Sequence, residues 1–292
     1  MPRKILLDSL STETQENRLS RSAHFKLLNW NIRNPSLDRA KRQAKWIVQT
    51  GANVVTLTEA KRSTGCTFIC DWLSRAGFDV FPSEQETNDY CVIMATKDLG
   101  SQRLRLDATF LPNRAGAITC VTERGRLQIV SLYVPSRGPL ARKNVDKRAF
   151  QDQIVSLLPG WVGKSQNNQF IVTGDLNVLE RHHAPHHKVF GEWEYIFYEE
   201  FGKSGLIDAY RLLHPDKTEH SWIGRSGSGY RFDHFFISER LSSYVQECSY
   251  IHSVRASGLS DHSAMCLELK FPSSVFASSL DKQNESNSTN YD

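Results

Sequence analysis

A chain of 292 residues can bury one large core. Its 36 Lys and Arg against 32 Asp and Glu leave a formal charge of +4, too mild for net charge alone to mark a nucleic-acid binder. Six Cys without dense pairing exclude a small disulfide scaffold, and no Cys or His set of suitable spacing completes a structural zinc site.

In chain order, residues 1–23 are polar, lack sustained periodicity and show no apolar stretch of the signal-peptide kind. No later run reaches the roughly 20 apolar residues of a membrane span. The expectation is a cytoplasmic protein with no membrane partner. Phe25 to Asn31 reads as a strand, and Ser36 can cap a helix with Ala40, Ala44, Ile47 and Val48 on one face, ended by Gly51. Val54 to Glu59 is the next strand. Phe68, Ile69, Trp72 and Leu73 mark a short helix ending at Gly77, followed by strands at 90–95, 117–122 and 128–134. Asp146 to Leu158 predicts a helix stopped by Pro159-Gly160.

The second half opens with a strand at 169–173 and a polar loop at 180–190. Helices are expected near 193–201 and 205–213, then strands at 232–237, 246–251 and 264–270. Residues 272–292 are rich in Ser and Asn and can add little core. The mixture predicts an α/β or α+β protein with helices covering sheets, and the adjacent short strands argue against a purely parallel doubly wound sheet.

Polar residues at predicted strand ends carry the chemistry. Asn29 and Asn31 share one side of the first strand, Asp175 and Asn177 lie two apart at a strand exit, and Glu59 ends the second strand on the side of Val55 and Leu57. Carboxylates with an Asn carbonyl suit magnesium, which takes oxygen ligands and retains waters. Asp261-His262 stands before the last apolar run, and either Asp261 or another carboxylate can orient the imidazole.

These residues fall in a recognisable series. Asn31 in Asn29-Trp30-Asn31-Ile32, Glu59 in Thr58-Glu59-Ala60-Lys61, and Tyr133 in Leu132-Tyr133-Val134-Pro135 come first. Asp175 and Asn177 in Gly174-Asp175-Leu176-Asn177-Val178, Asp233 in Arg231-Phe232-Asp233-His234, and Ser260-Asp261-His262-Ser263 follow. In that order the series resembles the endonuclease/exonuclease/phosphatase superfamily, and most of all exonuclease III-type abasic-site endonucleases. The likeness covers residues 24–271 as one catalytic domain. It implies a four-layer α/β sandwich of two central, mainly antiparallel mixed sheets flanked by helices, with the site at one edge between them.

The resemblance also implies roles. Glu59 would be the main magnesium ligand, with manganese a substitute, Asn31 would support the metal site, and Asp261 would contribute to it. Asp175 would orient or deprotonate water, Asn177 would hold Asp175 and a phosphate oxygen, His262 would contact the scissile phosphate oriented by Asp233, and Tyr133 would contact phosphate or assist the leaving group. Asn29, Lys61, Arg137, Trp222, Arg225, Tyr230 and Arg231 complete the expected substrate-contacting set. Segment 221–230 is shorter than the usual region before the Arg-x-Asp motif, and Tyr230 stands where Trp is common.

Two basic stretches, Arg33, Arg39, Lys41, Arg42, Lys45 and Arg137, Arg142, Lys143, Lys147, Arg148, each follow a motif-bearing strand and can track backbone phosphates. The run Arg181-His182-His183-Ala184-Pro185-His186-His187 offers imidazoles to a transition metal, but a polar loop at the site rim accounts for it better. The expected protein is a monomeric, magnesium-dependent DNA phosphodiesterase acting on duplexes with abasic sites or damaged 3′ ends. A less lesion-selective DNase, a phosphodiesterase for another ester, and a non-catalytic nucleic-acid binder are the alternatives.

Overall fold

The computed structural model describes residues 24–82, 89–138, 141–164 and 169–272, without the side chains of 141–143. The expected extensions at 1–23 and 272–292 lie outside the described residues, Pro272 apart.

Strands are numbered in chain order. One sheet runs β13 (Val245–Ile251), β14 (Ala264–Lys270), β1 (His24–Asn31), β2 (Val54–Ala60), β4 (Cys91–Thr96) and β3 (Asp79–Phe81). The other runs β5 (Ser101–Arg103), β6 (Ala115–Thr122), β7 (Gly125–Tyr133), β8 (Phe170–Asp175), β12 (Asp233–Ser238) and β9 (Leu206–Asp208). Each sheet has one parallel pair at its centre, β1 with β2 and β7 with β8, and antiparallel neighbours elsewhere.

A helix crosses over each parallel pair: α1 (Leu37–Gln49) between β1 and β2, and α3 (Ala141–Lys164) between β7 and β8. Ser36 caps α1 by accepting from the Arg39 N–H, and Gly51 follows it at φ +68. Helix α2 (Thr64–Arg75), capped by Ser63, packs with α1 over the first sheet. Helix α4 (Glu192–Lys203) joins α3 over the second.

The strands' two-residue period sorts the core into layers. Leu27, Val54, Met94, Ile129, Ile171, Phe235 and Leu267 meet between the sheets. Leu28, Trp30, Val55 and Leu57 face α1 and α2, while Val130, Val172 and Phe236 face α3 and α4. The result is the four-layer sandwich of two mixed sheets that was expected. The same alternation points Asn29, Asn31, Tyr133, Asp175 and Asp233 into the space between the sheets, at the end where both parallel pairs leave the core.

Short strands β3 and β5 were not expected, and three longer segments differ from the sequence reading. Helix α3 continues through Pro159 to Lys164, because Trp161, beyond the expected stop, remains buried with Leu158 against the second sheet. Residues 205–213 are not one helix: Leu206–Asp208 adds β9 to the edge of β12. Asp208 then caps the short α5 (Ala209–Leu213) by accepting from the Tyr210 and Arg211 N–H groups. Segment 221–230 forms a ribbon of β10 (Trp222–Ile223) and β11 (Gly229–Tyr230). No helix of the described residues is long and apolar enough to cross a membrane.

Candidate active site

A pocket of about 640 Å³ opens where the two parallel pairs end. Glu59, Asp175, Asn177, Asp261 and His262 line it together with an aromatic wall of Phe190, Trp222, Tyr230 and Phe232.

His262 is the most constrained group. Its Nδ1 lies 2.8 Å from Asp233 Oδ2, and its Nε2 lies 3.9 Å from Asp175 Oδ2 and 3.5 Å from Asn31 Nδ2. Its main chain is held too, with its carbonyl accepting from Trp30 Nε1 at 3.2 Å and its N–H donating to Ser260 Oγ at 3.3 Å. Burial alone would lower the imidazole pKa, but the Asp233 and Asp175 carboxylates outweigh it and bring it up to about 9. Of the two carboxylates the sequence offered, Asp233 orients the ring and the adjacent Asp261 does not.

Asp175 is buried between the sheets. Burial pushes its carboxyl up to about 7; the His262 imidazole and the Asn31 donor pull it down, while Asp233 and Glu59 push it further up. The Asn31 amide donates to Asp175 Oδ2 at 2.8 Å and to Glu59 Oε2 at 3.0 Å. Its carbonyl accepts from the Arg33 N–H at 2.9 Å. Asn31 thus presents its NH₂ to the two carboxylates and bridges them as a donor.

Glu59 reaches this cluster through its backbone. Strand parity would send it outward with Val55 and Leu57, but the β2 ladder shifts register between Leu57 and Ala60, and Glu59 sits at φ +54. Asn177, at the corresponding exit of β8, has φ +50. Its N–H donates to Asp175 Oδ1 at 3.1 Å and its amide to the Val134 carbonyl at 3.0 Å. Left-handed backbone at non-glycine residues is costly and concentrates at functional sites.

Tyr133 is buried beside the cluster, with the Arg114 guanidinium 4.6 Å and the Tyr90 ring 5.6 Å from its ring centre. Burial raises its hydroxyl pKa far above the ordinary range, so it remains a proton donor. Lys61 lies over Tyr90 at 4.1 Å, Arg137 lines the pocket, and Arg225 is exposed at the turn between β10 and β11. Asp261 Oδ2 accepts from Trp222 Nε1 at 3.3 Å and faces Arg33 Nε at 3.7 Å.

Three expected contact residues are placed elsewhere. Arg231 is fully buried, donating to Asp208 Oδ2 at 2.8 Å, to the Tyr198 hydroxyl at 3.1 Å and to Glu180 Oε1 at 3.3 Å. It is a core ion pair, out of reach of a phosphate. Asn29 is also fully buried, holding Asp233 Oδ1 at 3.5 Å and accepting from the Thr56 hydroxyl at 3.0 Å, so it steadies Asp233 beneath the site. Lys147, read in a phosphate-tracking stretch, is wholly inside.

The histidine run is structural at His183. Its Nδ1–H donates to the Pro185 carbonyl at 2.9 Å while Nε2 accepts from the Arg231 N–H at 3.2 Å, and burial pushes its pKa down to about 4. Both ring nitrogens are therefore occupied. His187 stacks on Tyr230 at 3.9 Å and backs the aromatic wall. Sequence reasoning missed Tyr90, Ser136, Val189 and Phe190 among the lining residues. Only the apolar pair Val189-Phe190, at the end of the polar loop 180–190, gave a signal.

The donor set fits a hard divalent cation. Glu59 lends a carboxylate to the pocket, and Asp261 Oδ1 is buried without a hydrogen-bond partner among the described residues. Asp175, Asp233 and His262 also have ligand atoms within 4.8 Å of one another, but Asp233 and His262 are already bonded together.

No family model matches the sequence, and no curated protein matches it. Solved structures do match. A 3′ phosphatase, NExo, from Neisseria bound to a product DNA hairpin is 18% identical, with a TM-score of 0.71, covering 85% of this chain and 100% of that one. An AP endonuclease from Archaeoglobus fulgidus is 18% identical, with a TM-score of 0.68 over 85% of this chain and 100% of its own. The AP endonuclease LMAP from Leishmania major is 20% identical, with a TM-score of 0.68 over 85% and 88%. The chain shares the fold of these AP endonucleases and of the 3′ phosphatase.

Proposed function

We propose that this protein is a divalent-cation-dependent DNA phosphodiesterase that incises 5′ to abasic sites and trims 3′ ends. The observation that carries the reading is the Asp233–His262 pair, at 2.8 Å, directed at Asp175, with Asn31 tying Asp175 to Glu59. Solved structures with the same fold bear the names 3′ phosphatase, 3′-5′ exonuclease and AP endonuclease, which supports the substrate class. In this reading residues 24–271 are one catalytic domain, acting as a monomer on cytoplasmic DNA.

Glu59 and Asp261 would hold magnesium or manganese, which when bound polarises the phosphate and stabilises charge developing on its oxygens. Ionised Asp175 accepts a proton from the attacking water, a task suited to a carboxyl poised near neutral pH. Asn31 and the Asn177 N–H fix that carboxylate through both oxygens. His262, as an imidazolium anchored through Nδ1, donates Nε2–H to a phosphoryl oxygen, and Tyr133 adds a neutral donor. The aromatic wall gives an extruded sugar or unpaired base a stacking surface.

End-labelled duplexes carrying an abasic analogue, an intact site or a recessed 3′ end test the assignment, with Asp175→Asn as background. The reading expects a cut immediately 5′ to the analogue, much faster than cutting of intact DNA. Digestion of intact and lesion-bearing duplexes at equal rates would remove the lesion specificity.

A further inference from the structure

Lys147 lies outside every motif the proposed hydrolysis uses, yet it is a lysine taken wholly out of water. Lysines are almost never fully buried unless the ammonium is paired. Its Nζ donates to Glu194 Oε1 at 2.5 Å and to the carbonyl of Asn177 at 2.7 Å. Glu194, equally buried, also accepts from Arg137 Nη1 at 2.5 Å and from the Gly191 N–H at 2.9 Å. One carboxylate thus joins α3, the start of α4 and the loop after β7.

A purely stabilising role explains little of this arrangement. Buried ion pairs often add no stability over apolar residues of equal volume. Here, moreover, the ammonium is spent on the main chain of a pocket residue, and the carboxylate on an arginine that lines the pocket. Asn177 is held in a left-handed conformation by anchors from three directions: Asp175, Val134 and Lys147. Its N–H in turn fixes Asp175. Glu194 thus accepts from two basic side chains: Lys147, whose pKa burial pulls below its ordinary value, and Arg137, which lines the pocket.

Resting on the function proposed above, we infer that Lys147 and Glu194 are positioning residues for phosphodiester hydrolysis. Lys147 sets the Asp175–Asn177 turn, and Glu194 aims Arg137 at a substrate phosphate. Misplacement of a reacting group by about 1 Å costs on the order of 100-fold in rate.

Lys147→Met and Glu194→Gln, with Arg137→Gln for comparison, are assayed in steady state and single turnover on the labelled abasic duplex with magnesium. Circular dichroism and thermal melting measure the folded fraction. Lys147→Met should lower kcat about 100-fold with KM within about threefold. Glu194→Gln, which keeps its volume and carries the test if Lys147→Met does not fold, should lower kcat and raise KM. Arg137→Gln should raise KM alone. A wild type that turns over while both variants keep its kcat, or lose it only in proportion to the folded fraction, overturns the positioning role and leaves the phosphodiesterase reading standing. A wild type no faster than Asp175→Asn overturns both.

Discussion

At the scale of single residues, the site is a set of charges whose protonation is fixed by neighbours. Asp175 must be ionised to take a proton and His262 protonated to give one, so the rate should rise as Asp175 titrates and fall as His262 does. The alkaline limb should lie near 9 and the acidic limb at or below about 7, the bound cation drawing Asp175 lower. Asp233→Asn removes a negative charge that favours imidazolium, so the alkaline limb of kcat should move to lower pH. An alkaline limb that stays in place in this variant would count against His262 as the donor. Asp175, Asp233 and His262 were legible because their motifs are local. The burial of Arg231, Asn29 and Lys147 was not: each is matched by partners distant in sequence, such as Glu180, Asp233 and Glu194. Alone, an arginine beside a motif reads as a phosphate ligand.

Among the elements, the two strand exits decide where the carboxylates go. At the end of β8, Gly174 sits at φ +140, and a Cβ there would lie 1.9 Å from the Leu132 carbonyl oxygen of β7. Only glycine lets β7 and β8 approach this closely just before Asp175. Gly174→Ala should therefore cost about 3 kcal/mol or more in denaturant-unfolding stability, from both the clash and the strained backbone. A midpoint within error of wild type would contradict that account. At the end of β2, the register shift at Glu59 performs the same task, and no composition rule announces it. The regular elements themselves could be read, since Ser36 and Gly51 frame α1 and alternating apolar residues mark the central strands. Pro159 misled because a local breaker was weighed without the packing of Trp161. Short edge strands such as β9 were hidden because their identity rests on pairing with β12.

For the whole molecule, two sheets, each with a central parallel pair, gather the candidate catalytic residues at one end, above the apolar layer packed between them. A duplex laid across that end would meet Arg33, Arg137 and the β10–β11 turn carrying Arg225, so its affinity should fall with salt. In fluorescence anisotropy with the inactive Asp175→Asn protein, Arg33→Gln should reduce the slope of log affinity against log salt by about 0.9, the value of one phosphate contact. An unchanged slope would place the duplex elsewhere. The central claim is that Asp175, backed by a divalent cation, drives hydrolysis of a DNA phosphodiester. Single-turnover cleavage of one end-labelled abasic duplex, by wild type and by Asp175→Asn, with magnesium and then with chelator, tests it most directly. The account predicts rapid cutting by wild type with magnesium, abolished by chelator and slowed at least about 100-fold in Asp175→Asn at unchanged duplex affinity. Equal rates for the two proteins, or cutting that survives chelation, would contradict it.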